Sequence, residues 1–342
     1  MVEKRVTLKE IARLCELAPT TVSSILHGRK TYCSQAKIDR VHALVKKYGY
    51  RPNVGYNIMT GRATNIVAVV FSQKRITQHE MLRNLYMNLC TGLNERNYAM
   101  YTAVLSGEDS EQKSLVRSLE ERGCRAFLFI GTPKNYSELE KYLLDKGHRV
   151  LGFNNRQASD GVCADQVGAY IRYLDFLELG GRQNIRLALT EEYMTDHLLP
   201  RLPVERQARY ADCGMKVDRV GFVHGNSALH YFRLGYRQAQ KEVQRNPGVE
   251  AMLFATDYHV LGAAAALSGM GKLANAIELF GMDDAASVCF SGVRMTTTRF
   301  DMDAAANLLM ERLVHFKPGI QMLEGDIVHY PDSKETSFFH SS

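Results

Sequence analysis

The chain has 342 residues, a formal net charge of +6, 45% hydrophobic and 23% charged residues, the balance of a folding chain with two or three domains. Its longest stretch of apolar residues and glycine, Val260–Leu267, is too short to span a membrane, and the first thirty residues hold six Lys/Arg and no apolar signal segment. Seven cysteines, without a C-x-x-C pair or a Cys/His cluster at zinc spacing, exclude a disulfide framework and a zinc ribbon and point to a reducing, cytoplasmic compartment.

The charge is uneven. Residues 1–62 hold twelve Lys/Arg against four acids, a net +8 that leaves −2 for everything after them. A basic module on a mildly acidic body is the footprint of a polyanion-binding head.

Within that head, Thr7-Leu8-Lys9-Glu10 reads as a capping box: the Thr7 hydroxyl accepts from the Glu10 amide while Glu10 reaches back. Leu8, Ile11, Ala12 and Cys15 then recur at helical spacing. Pro19 suits the first turn of a second helix, with Val22, Ile25 and Leu26 facing inward and Gly28 ending it. Ser34 opens a third helix that buries Ile38, Val41, Val45 and Tyr48. Three short helices with a tight turn between the first two predict a helix-turn-helix head, whose second helix lays its first turn in the major groove. Pro19, Thr20, Thr21, Ser24 and His27 face outward there, and hydroxyls and Thr methyls suit base edges, phosphates and thymine methyls.

Three segments in order, Thr7-Leu8-Lys9-Glu10-Ile11-Ala12, Thr20-Thr21-Val22-Ser23 and Tyr50-Arg51-Pro52-Asn53, resemble the LacI/GalR family of bacterial transcription regulators. The resemblance implies a homodimeric operator-binding protein with an effector-controlled core. It divides the chain into a head (1–52), a hinge helix and linker (53–64) and a two-lobed core (65–342). In the hinge, Met59 stands where an apolar wedge pries open the central minor-groove step. The DNA-contacting set implied is Thr7, Pro19, Thr20, Thr21, Ser23, Ser24, His27, Tyr50, Asn53 and Met59. Ala18 in place of a Ser cap, and Gly55 and Tyr56 in the hinge, depart from the family pattern and weaken helix formation by roughly 1 kcal/mol each for cap and glycine.

From Asn65 onward apolar runs alternate with amphipathic stretches. Ile66–Phe71, Met100–Leu105, Ala126–Ile130, Val150–Phe153, Ile185–Leu189, Val217–Val223, Met252–Ala255 and Leu279–Met282 read as strands. Glu80–Arg96, Glu111–Arg122, Gly168–Leu179, Leu229–Gln244 and Tyr258–Met270 read as helices. This alternation predicts doubly wound parallel sheets with ligands at the strands' carboxyl ends, and no phosphate-binding glycine loop is present. The resemblance extends through Phe153-Asn154-Asn155-Arg156, Asp165-Gln166-Val167-Gly168, Ala255-Thr256-Asp257, Gly281-Met282-Asp283-Asp284 and Met295-Thr296-Thr297-Thr298-Arg299. It implies two α/β lobes of the type I periplasmic-binding-protein kind, with crossings near residues 163, 292 and 325. It also implies a small-molecule effector, a carbohydrate or derivative, held by Phe71, Arg156, Arg206, Asp257 and Asp283. Arg209 replaces a usual Gly beside Arg206, Thr256 a usual Asn, and Val293-Arg294 a Pro-Pro pair.

The adjacent carboxylates Asp283 and Asp284 point to opposite sides of a strand end, a poor acid/base pair. With no nucleophile arrangement and no metal spacing among the histidines, the chain reads as a regulator without cofactor, metal or catalytic site. The other readings are a small-molecule sensor whose head contacts protein and, third, an enzyme hidden in the α/β body.

Overall fold

The computed structural model describes residues 6–26, 32–50, 64–72, 80–105, 108–215, 227–271, 277–289, 291–315 and 317–330. The chain divides into two compact units, residues 1–64 and 65–342.

In the first unit, α1 (Leu8–Cys15) starts on the expected capping box: Glu10 N–H donates to Thr7 Oγ1 at 3.3 Å and Thr7 N–H to Glu10 Oε2 at 2.6 Å. Glu16, left-handed at φ 54°, ends it and turns the chain toward α2 (Pro19–Leu26). A third helix, α3 (Gln35–Lys47), closes the bundle. Ile11, Ala12, Cys15, Val22, Ile25 and Val41 form its buried core. Two expectations are corrected: Tyr48 is exposed because the helix ends before it, and the Ser34 side chain caps no amide. The hinge positions 53–63 lie outside the described residues.

The second unit contains two sheets. Sheet A is wholly parallel, ordered β10-β5-β4-β3-β1-β2, from β1 (Ile66–Phe71), β2 (Ala99–Val104), β3 (Ala126–Ile130), β4 (Arg149–Phe153), β5 (Asp160–Ala164) and β10 (Gly319–Leu323). The helices α4 (Glu80–Glu95), α5 (Asp109–Glu121) and α6 (Tyr136–Asp145) connect its strands. Every residue of β1, Ile-Val-Ala-Val-Val-Phe, is buried, as a central parallel strand covered on both faces requires. Sheet B is ordered β11-β9-β8-β7-β6, from β6 (Ile185–Ala188), β7 (Ala251–Phe254), β8 (Glu278–Phe280), β9 (Met295–Arg299) and β11 (Asp326–Tyr330). Its edge strand β11 runs antiparallel to β9, so this lobe is mixed rather than purely parallel.

Around sheet B lie α7 (Gln166–Leu179), α8 (Glu191–Tyr193), α9 (Val204–Ala211), α10 (Ser227–Arg245), α11 (Asp257–Gly269) and α12 (Ala286–Cys289). The α10–α11 pair packs at backbone distance. A Cβ on Gly235 would sit 1.9 Å from the His259 carbonyl oxygen, and one on Gly262 1.9 Å from that of Phe232.

The chain passes between lobes three times. It leaves sheet A after β5, and α7 then bonds to sheet B through Tyr170 Oη to the Phe254 carbonyl (3.1 Å) and Tyr173 Oη to that of Gly281 (2.9 Å). It returns between β9 and α13 (Met302–Val314), which packs against α4, and passes back between β10 and β11. The middle passage therefore follows β9 instead of lying near residue 292, since β9 is still a strand of sheet B. Beside these passages the buried Arg312 pairs with the fully buried Asp160 and donates to the carbonyls of Lys317 (2.6 Å) and Gly319 (3.0 Å), tying α13 to β5 and β10. Removing one partner of such a pair typically costs about 3–5 kcal/mol. Val217–Val223, read as a strand, lies outside the described residues.

Candidate DNA-reading face and interlobe cleft

Helix α2 exposes Pro19 and Thr20, with Thr21, Ser23 and Ser24 half-buried beside them, while Val22 and Ile25 anchor the helix from below. The hydroxyl-bearing face is set by that inward pair: one turn of helix cannot turn Val22 inward without turning Thr20 outward. Thr7 is exposed, but its hydroxyl is committed to the cap, donating to Glu10 Oε2 at 2.9 Å while accepting the Glu10 amide. Tyr50 is half-buried against the helical core, and burial raises its hydroxyl pKa. Lys37, Arg40, Lys46 and Lys47 are exposed along α3. His27, Asn53 and Met59 lie outside the described residues.

In the second unit the carboxyl ends of both sheets carry polar groups on loops that the strands position. Asp257 opens α11 just after β7 and is fully buried. Its Oδ1 accepts from Thr297 Oγ1 (2.7 Å) and its Oδ2 from the Ala285 amide (2.8 Å), while its own N–H donates to the Met282 carbonyl (3.0 Å). Gly281 makes room: a Cβ there would meet Asp257 Oδ1 at 2.2 Å. Asp257 thus knots the ends of β7, β8 and β9. Burial, and then the nearby Asp283 charge, hold its carboxyl well above the ordinary range against the pull of Thr297 and the Ala285 amide.

Asp283 is the group this knot displays. Its backbone is held left-handed at φ 96°, its amide donates to the Thr298 carbonyl (3.1 Å), and its carboxyl has no hydrogen-bond partner among the described residues. Strain of this sort in a residue other than glycine persists only where surroundings over-determine it. Burial pushes the Asp283 pKa up to about 7. Asp284, next to it, is neutralised by Arg299 Nε at 2.5 Å and accepts from Tyr330 Oη at 2.5 Å.

Facing this wall, the segment after β6 departs from regular helix. Three α-helical residues run into a five-residue π turn, Met194–Leu198, and a 3-10 turn, Leu199–Arg201. Such π turns are rare and frequent at functional sites. Tyr193, at its start, packs on Tyr170 (ring centroids 5.9 Å) and His197 (5.4 Å), and its buried Oη has no hydrogen-bond partner among the described residues. Burial, lessened by the charges of Arg156 and Arg201, leaves its pKa pushed up to about 12. Arg201 Nη1 pairs with Asp165 at 2.8 Å, where Asp165 also caps α7 at the Gly168 amide (3.1 Å). Burial raises the Asp165 carboxyl, but the Arg201 and Gly168 bonds outweigh it and hold it below its ordinary value.

From sheet A, the loop after β4 brings Arg156, exposed and without an ion pair among the described residues, close enough that its charge acts on the Tyr193 hydroxyl. Beside it, buried Asn155 accepts from Thr132 Oγ1 (3.0 Å), and among the described residues its Nδ2 and the buried Ser72 hydroxyl after β1 have no hydrogen-bond partner. Of the residues expected at the effector, Arg156 follows β4 of sheet A and Asp283 follows β8 of sheet B. Phe71 is buried with its ring 5.9 Å from that of Tyr86. Asp175 (2.7 Å) and Glu178 (3.3 Å) of α7 hold the Arg206 guanidinium in the α7–α9 seam. Sequence reading missed Tyr193, Arg201, Ser72 and Asn155. The last lay within a quoted motif, whereas the irregular turn around Tyr193 leaves no periodic signal.

The described residues contain no group of three or more His, Cys, Asp or Glu placed to hold a metal, and no helix long and apolar enough to cross a membrane.

Residues 7–53 match the profile "Bacterial regulatory proteins, lacI family". The chain is similar to the HTH-type transcriptional regulator AglR of Rhizobium meliloti (strain 1021), 26% identical over 90% of this chain and 87% of AglR. A crystal structure of the lac repressor dimer bound to operator and the anti-inducer ONPF shares the fold at TM-score 0.64 and 18% identity, covering 95% of this chain and 98% of that one. A transcriptional regulator CelR–cellobiose complex does so at TM-score 0.57 and 20% identity, covering 95% and 99%.

Proposed function

We propose that this chain, whose residues 7–53 match the lacI-family profile and which is similar to AglR over 90% of its length, is a transcription regulator of the LacI/GalR kind that represses transcription in the cytoplasm as a homodimer, binding a pseudo-palindromic operator under control of a small hydroxyl-rich molecule in the interlobe cleft. The observation that carries this reading is the head. A capped α1 and a short turn set α2 with its hydroxyls outward, on a module of net charge +8. A head of this design reads one half-site, so a two-fold operator calls for two chains. The related structures of a lac repressor dimer bound to operator and of a transcriptional regulator complexed with cellobiose support a DNA partner and a carbohydrate-class effector.

Reading is assigned to Pro19, Thr20, Thr21, Ser23, Ser24 and His27 in α2 and just beyond it, with Tyr50 and Asn53 on the backbone and Met59 as the minor-groove wedge. Effector binding changes how the lobes sit and so how the two hinges are spaced. By linkage, an inducing ligand binds the free protein better than the DNA-bound one.

Selection of bound sequences from random duplex DNA, at low and near-physiological salt, tests the proposal. One two-fold-symmetric motif whose affinity falls steeply with salt is the expected result. Binding without a motif, or no binding, overturns it. On the motif recovered, Met59→Ala weakens operator binding and spares ligand binding.

A further inference from the structure

We infer that the core carries a nucleic-acid site of its own, a ridge of cations along α10 that binds the phosphate backbone of a duplex other than the one held by the head. Over its last three turns α10 exposes Arg233, Tyr236, Arg237, Lys241, Gln244 and Arg245. The four cations recur at every fourth residue, which places them on one surface ridge of the helix, about 6 Å apart and about 18 Å from first to last. Packing fixes which side faces out. Leu234, Ala239 and Val243 are buried on the other side, the last two against Met252 and Phe254 of β7, and Gly235 brings α11 to backbone contact.

No acid opposes this ridge from the elements around it. Glu242, the acid of the helix, is turned inward and paired with Arg186 at 2.8 Å. Helix α11, packed along α10, contributes Asp257 as its charged residue, and that carboxylate is buried on Thr297 and the Ala285 amide. Beyond the end of α10, Glu250 is taken up by the amides of Gln183 and Asn184, both at 2.8 Å. Arg233, Arg237 and Arg245 have neither a hydrogen bond nor an ion pair among the described residues. Residues 63–342 sum to −2, so four cations on one face are a local concentration on an otherwise mildly acidic body.

The repeat identifies the partner's chemistry. A small anion would engage one or two of the four cations, whereas a polymer of regularly spaced charges engages the row. Duplex DNA carries one charge per about 1.7 Å of its axis, so about ten face a ridge of this length. Three of the four cations are arginines, whose planar forks match phosphate oxygens. A protein partner calls for an apolar centre depleted in charge. Here Tyr236, 37% exposed, is the one side chain of the six with a large apolar surface, and its hydroxyl suits a phosphate as well. Polar and strongly cationic is the character of nucleic-acid interfaces.

The test is a bridging assay with the full chain. A short duplex of mixed sequence is fixed to beads, protein is captured on it, and a second, fluorescent duplex is offered at low salt. The parent should retain the second duplex, less so as salt rises. Replacing Arg233, Arg237, Lys241 and Arg245 together by Gln should cut retention at least tenfold while capture on the first duplex holds. Gln is a good helix former and the four positions are exposed, so the unfolding temperature should stay put. Arg233→Lys, Arg237→Lys and Arg245→Lys together keep the charge and should keep most of the retention. As a charge-matched control, Gln in place of the exposed Arg117, Arg122, Lys134 and Lys141 of the sheet A lobe should leave retention intact.

No retention by the parent, or retention unchanged in the ridge variant, overturns the inference. So does an equal loss in the charge-matched control, which would make net charge the cause. Loss of capture on the first duplex in the ridge variant would assign α10 to the head's own binding event and overturn a separate site. Displacement of the second duplex by polyglutamate at equal charge would hand the ridge to acidic proteins. Each of these leaves the operator reading standing, since that rests on the motif selected by the head, whereas a parent captured by no duplex overturns both.

Discussion

Asp257 and Asp283 are neighbours with different duties. Truncating Asp257 removes the acceptor of a buried amide and a buried hydroxyl at once, so Asp257→Ala is expected to destabilise the core by about 2–4 kcal/mol. Chemical unfolding would read this as a lower midpoint, and an unchanged midpoint would contradict the structural role. Asp283 makes a prediction of opposite kind. Its folded pKa of about 7 lies above the ordinary 3.8, so between those values the folded state binds more protons than the unfolded one. Stability present at low pH is therefore lost as pH rises through that window, and the raised Asp257 carboxyl acts in the same direction. Asp283→Asn should flatten the decline and leave the variant more stable than the parent at pH 8. A parent whose unfolding midpoint does not fall between pH 5 and 8 would contradict this.

At the scale of elements, local rules account for the head and long-range pairing accounts for what was misread. The α1 cap is legible because its two partners lie three residues apart, and its loss is a small, local matter. Thr7→Ala should lower the head's unfolding free energy by about 1 kcal/mol, seen as an earlier helical melting transition of residues 1–64 with the core transition unmoved. Strands β1, β3 and β4 announce themselves by unbroken apolar runs, since both their faces are covered. By contrast β5, Asp-Gly-Val-Cys-Ala, does not, because Asp160 at its start is tolerable only beside Arg312, 152 positions away. Strands β10 and β11 alternate weakly at sheet edges, where exposure removes the apolar signal. The cleft followed the same division. The Asp283 turn lay in a recognisable motif, whereas only the packing of α9 on α7 shows that Asp175 and Glu178 hold Arg206. Tyr193 was illegible for a related reason, since a π turn has neither the 3.6 nor the 2.0 period.

Across the core as a whole, a hydrogen bond among the described residues joins the lobes next to the Asp283 turn. Glu80, opening α4 in the sheet A lobe, accepts from the Ala286 amide at 3.2 Å, and Ala286 opens α12 in the sheet B lobe. The preceding amide, that of Ala285, is the one Asp257 holds, so the turn bearing Asp283 is fixed from inside its own lobe and touched from across the cleft. A hydrogen bond of this exposed kind contributes about 1 kcal/mol, which is a roughly fivefold bias toward the lobe arrangement that makes it. Glu80→Ala should therefore leave global unfolding nearly unchanged while shifting the lobe equilibrium about fivefold. Small-angle scattering would report this as a change in the radius of gyration of the unliganded protein, and a DNA-release titration as a displaced effector midpoint. Glu80→Gln retains a neutral acceptor and should fall between the two. In the function proposed above, operator and effector affinities are linked through this equilibrium, so both move in Glu80→Ala, and a shift in one alone would show that the contact belongs to a single lobe's stability and not to the switch.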